Sequence, residues 1–199
     1  MGIDVDVVIC DWNRLLETLN RVPLDGIWSL AGPDWDPDLE PDAAQLVQVS
    51  PTEHWLARYE FRGAASSGTA KPYFHFDSIW DDARKAMPAP LRQDMEKFIG
   101  RLLWTDYNGT ANLLGDFEPP LDSIDKPLRI ACTPTEIADL ARHWTELADR
   151  IPDLRPYIDP ELAPGYLDNF DELAVYLEDW GNAVRQAQRR SWGLIALFL

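Results

Sequence analysis

Cysteine is nearly absent from this sequence. Two residues in 199, Cys10 and Cys132, cannot build a disulfide framework, and neither sits in the CxxC spacing of a zinc site. Both are expected as reduced, buried, hydrophobe-like side chains. Histidine is as sparse: His54, His75 and His143 are scattered, with no HxxxH or HExxH spacing to set two of them on one helical turn, so no metal site is expected. Of the 11 glycines, Gly63, Gly68, Gly109 and Gly115 form neither GxGxxG nor GxxxxGK[ST]. Nucleotide binding has no support in that spacing, and no cofactor is expected. No run approaches the roughly 18 apolar residues of a membrane span. The opening Met-Gly-Ile-Asp-Val-Asp lacks the basic start and apolar core of a secretion signal, which predicts a cytoplasmic protein. Basic residues are also short, 18 Lys and Arg against 34 Asp and Glu, for a net charge of −16. A chain with that balance repels phosphate backbones and anionic lipid, which excludes nucleic-acid and membrane partners.

What is present suits one globular domain, residues 1–199: 46% hydrophobic and 26% charged residues. A chain of this length buries roughly 70% of the surface its unfolded form exposes, so its core needs neither disulfide nor metal. The acidity is uneven. Residues 1–60 hold 12 acids and only Arg14, Arg21 and Arg58, while bases gather at 84–101 and 185–190. Such a balance speeds encounter with a basic partner.

Ile3, Val5, Val7 and Ile9 alternate with Asp4 and Asp6, the period of a strand with one buried face. Asp11 is placed to cap a helix carrying Trp12, Leu15, Leu16 and Leu19 on one stripe. Residues 25–42, rich in Pro, Gly and Asp, and residues 62–71 (RGAASSGTAK) read as loops. Between them, 46–49 is a short strand candidate and 54–61 a strand or a helix. Residues 73–80 (YFHFDSIW) read as a strand that gives way, near Asp77 or Ser78, to a helix reaching Met87.

A further helix is expected over 90–104, with Leu91, Met95, Phe98, Ile99, Leu102 and Leu103 on its apolar face. A strand at 128–132 leads into Thr133-Pro134-Thr135-Glu136, a capping box with proline at the first helical position. That helix carries a stripe from Ile137 to Ile151. A long helix from Asn169 to about Arg190 buries Phe170, Leu173, Leu177, Trp180 and Val184, with Gly193 as its breaker. The closing LIALFL is apolar throughout, as in a strand covered on both faces. The fold class is therefore α+β (mixed α/β), a small sheet using N- and C-terminal strands packed against several amphipathic helices.

Three segments stand out in order, Phe74 to Trp80 (FHFDSIW), Asn112 to Gly115 (NLLG) and 130–140 (IACTPTEIADL), and together they resemble the YfbM-like family of small bacterial proteins of unknown function. Phe74-His75-Phe76-Asp77-Ser78-Ile79-Trp80 is similar to that family's Leu-Asp-Lys-x-Trp segment. Asn112-Leu113-Leu114-Gly115 is similar to its Leu-Leu-Gly-Gly turn, and 130–140 (IACTPTEIADL) to its strand followed by Thr-Pro-Glu-Glu-Val. Ser78 stands where a lysine is expected and Asp116 where a second glycine would sit. The resemblance spans about residues 73–199, implies an α/β sheet with packed helices, and carries no activity with it.

Few side chains invite chemistry. In a strand, His75 and Asp77 would share a face, so a carboxylate could orient an imidazole; with Asp106 they make the candidate catalytic set of a small hydrolase. The plainer reading makes Asp77 a helix cap. Ser66 and Ser67 lack the GxSxG elbow of a nucleophile. Asp34, Asp36, Asp38, Glu40 and Asp42 alternate along DWDPDLEPD, yet the glycine and bidentate glutamate of a calcium loop do not follow. Nine tryptophans are many for this length; Trp12, Trp144 and Trp180 fall on stripes expected to be buried. Trp35 instead lies among those five acids, where an aromatic anchor flanked by carboxylates suits a basic partner through cation–π contact and charge pairing. The sequence thus points first to an acidic binding protein, an immunity- or antitoxin-type inhibitor of a basic protein such as a toxin, and second to the hydrolase.

Overall fold

The computed structural model describes residues 5–22, 26–27, 30, 47–49, 54–59, 61–62, 70–103, 128–162 and 167–198. Among the described residues, five strands form one antiparallel sheet: β1 (Val5–Cys10), β2 (Val47–Val49), β3 (Leu56–Tyr59), β4 (Leu128–Cys132) and β5 (Gly193–Phe198). Their order is β2-β3-β1-β5-β4, so the first and last strands in sequence lie side by side at the middle of the sheet. The fold is mixed α+β, as the pattern of strands and amphipathic stretches implies.

Register places alternate residues on opposite faces. Val7 pairs with Tyr59 and Ala196, and Ile9 with Ala57 and Leu194. These residues, with Ile130 and Cys132 of β4, join the larger core. Val8, Cys10, Leu56, Ala131 and Ile195 face the other way, into a smaller core with Trp12, Leu15, Leu19, Ile27 and Trp55. Only one face of β1 was expected to be buried; Val7 through Cys10 are buried without a break, because helices cover both sides. The same holds for Leu194, Ile195 and Ala196 of β5, as its apolar run predicts.

The smaller core is roofed by α1 (Trp12–Leu19), whose first amides at Asn13 and Arg14 donate to the Asp11 carboxylate at 3.0 and 3.2 Å. The larger core is built by α2 (Ala70–Ala86), α3 (Ala89–Leu103), α4 (Pro134–Leu147) and α5 (Phe170–Arg190). A run of short 3-10 and α turns, Ala148–Leu154, Arg155–Ile158 and Asp159–Glu161, follows α4. Ile151 of the expected α4 stripe is buried in that run rather than in the α-helix, and Pro152 sits inside it.

The main correction concerns residues 70–80. The stretch read as a strand ending near Asp77 is helical from Ala70 onward. Tyr73, Phe76, Trp80, Ala83 and Met87 recur at three- and four-residue spacing and are all buried, so the aromatics line one helical stripe. Pro72 is the third residue of α2, within the first turn, where its missing N–H costs no intrahelical bond. At its other end α5 stops one turn before the glycine expected to break it. Ser191 takes the left-handed conformation (φ 56°) and its amide donates to Gln188 O at 2.9 Å. Gly193 has another duty: a side chain there would overlap the Trp12 ring and lie 2.8 Å from the Cys132 carbonyl oxygen.

Candidate functional site: a buried carboxylate beneath Arg62

Of the side chains proposed from sequence, His75 and Asp77 lie among the described residues. Asp34, Trp35, Asp36, Asp38, Glu40, Asp42 and Asp106 lie outside them, as do Ser66, Ser67 and residues 112–115. His75 and Asp77 are two positions apart on α2, not on a strand, so they project about 160° apart around the helix axis. The shared face that would let the carboxylate orient the imidazole does not exist. Instead the Leu167 amide donates to His75 Nδ1 at 3.2 Å, which ties α2 to the chain just before α5 and requires that nitrogen to be unprotonated.

His54 is exposed and His143 lies between Arg142 and Glu146, with Nδ1 3.7 Å from the Glu146 carboxylate. Among the described residues no three His, Cys, Asp or Glu side chains gather as metal ligands, and no helix is long and apolar enough to cross a membrane. Cys10 and Cys132 are wholly buried, on opposite sheet faces. Burial pushes the Cys132 thiol up to about 12, and burial with the neighbouring Asp11 charge pushes Cys10 higher still, so both stay neutral thiols.

A buried polar centre lies elsewhere among the described residues. Asp179, on α5, is the one fully buried charged side chain among the described residues. It accepts from the Arg62 amide at 2.7 Å, from Arg62 Nε at 2.6 Å and from the Tyr59 hydroxyl at 3.4 Å. The second arm of the guanidinium reaches the exposed Glu178 carboxylate at 3.2 Å. Asn182, one turn along α5, accepts from Arg185. The last residue of β3 and the chain just beyond it are thereby fastened to the middle of α5, across about 117 residues of sequence.

Burial drives the ionisation states here. It pushes the Asp179 carboxyl above the usual carboxylate range, against the opposing pull of the bonds from the Arg62 main chain and side chain. Burial and then the Asp179 charge push the Tyr59 phenol up, so it remains a neutral donor. Arg62 loses some hydration, but its bonds to Asp179 hold its guanidinium charge more firmly than in water. Aromatic rings wall the network: Phe61 packs edge-on to Tyr59 and Trp180, at centroid distances of 5.3 and 5.1 Å. Asp179 has no face open to a substrate, so what it can do is position Arg62 and the end of β3. A signal existed in the sequence: Tyr176, Asp179, Ala183 and Ala187 recur at helical spacing, and the other three are apolar or aromatic.

No known protein family, curated protein or solved structure matches the chain.

Proposed function

We propose that this chain is an acidic cytoplasmic binding protein that masks a basic partner protein, in the manner of an immunity protein or antitoxin acting on a toxin. The observation that carries this reading is where the charge lies. Residues 22–57 hold seven acids and no Lys or Arg, and residues 102–125 hold five acids and no Lys or Arg. Elsewhere arginines meet carboxylates: Arg101 with Glu136 at 2.8 Å, Arg150 with Asp94 at 2.9 Å, Arg84 with Asp81 at 2.9 Å. Concentrated charge of one sign steers a partner of the other, and Trp35 among Asp34, Asp36, Asp38, Glu40 and Asp42 supplies an apolar anchor.

A relationship to the YfbM-like proteins belongs to this proposal. It rests on the sequence segments 74–80, 112–115 and 130–140.

The test is affinity capture from the native host with the wild-type chain beside a variant carrying Asp34→Asn, Asp36→Asn, Asp38→Asn, Glu40→Gln and Asp42→Asn. A basic protein retained by the wild type and lost from the variant is the expected result. Equal retention by both, or no basic protein with either, contradicts the proposal.

A further inference from the structure

We draw no further inference here: the strongest candidate, the basic end of α5 formed by the exposed Arg185 and Arg189 and the half-buried Arg190 beside Trp192, has its last two cations accounted for by the helix dipole and Arg185 bonded to Asn182, and nothing in the structure shows what covers it.

Discussion

Asp179 and Arg62 are unequal partners, since the carboxylate is wholly buried while 36% of the arginine side chain meets water. Removing the arginine strands a charge in the core; neutralising the aspartate strands nothing charged. Arg62→Ala is therefore expected to cost more stability than Asp179→Asn, near the lower end of the roughly 3–5 kcal/mol seen when a buried pair loses one member, because water already screens part of this one. Denaturant unfolding of the two variants and their double mutant measures the difference, and equal losses would show that the charge of Asp179 is immaterial. The sign of the pH effect follows from the raised carboxyl. In the folded state it holds its proton to higher pH than the 3.8 of its ordinary value, so ionisation costs the wild type stability as pH rises from there through the folded value. Relative to Asp179→Asn, the wild type should lose ground across that window and then level off. Asp94 runs the other way. Bonds from Lys97 and then Arg150 hold its carboxyl below the ordinary value, so its contribution is complete above that value and fades as pH falls through the lowered one. Asp94→Asn should thus narrow its gap to the wild type in acid.

Helix contacts in the larger core depend on glycine where two helices meet. Gly181 of α5 lies against the Trp144 indole of α4, and a methyl group there would overlap the ring. Gly181→Ala should cost about 1–3 kcal/mol through overpacking, and in a Trp144→Leu background the same change should cost far less, as a double-mutant cycle of unfolding free energies would reveal. The capping box makes a second test. Thr133 Oγ1 accepts from the Glu136 amide at 3.4 Å while the Glu136 carboxylate accepts from the Thr133 amide at 2.9 Å. Thr133→Ala should cost about 1 kcal/mol, read as a drop in unfolding midpoint with an unchanged denaturant slope. That cap was legible in the sequence because it needs only four neighbouring residues. The apolar stripes of α3, α4 and α5 were legible for the same reason, each being set by its own periodicity. The start of α2 was not: the aromatics at 73–80 satisfy a strand as readily as a helix until Met87 and Ala83 are seen to continue the stripe. Two-sided burial of β1 was hidden as well, since Asp4 and Asp6 supply an alternation that stops at Val7.

Across the whole molecule, long-range contacts decide what short patterns cannot. The strand order follows from the pairing of β1 with β5, some 190 residues apart, and the Asp179 network joins residues about 120 apart. Neither could be read from spacing, although an acid on an otherwise buried helical stripe marks where to look. The strand geometry behind the His75–Asp77 pairing was a local misreading: both residues lie on α2, where neighbours two apart do not share a face, and Asp106 lies outside the described residues. Net charge acts at the largest scale, through association rather than fold. If the acid-rich segments serve a basic partner, the association rate should fall steeply with ionic strength, and the dissociation rate should change little. The decisive measurement is that rate for the captured partner, with the wild type and with the variant neutralised at 34, 36, 38, 40 and 42, from about 20 mM to about 500 mM salt. The account predicts at least a tenfold fall for the wild type and a nearly flat profile for the variant. Coincident profiles for the two proteins would contradict it.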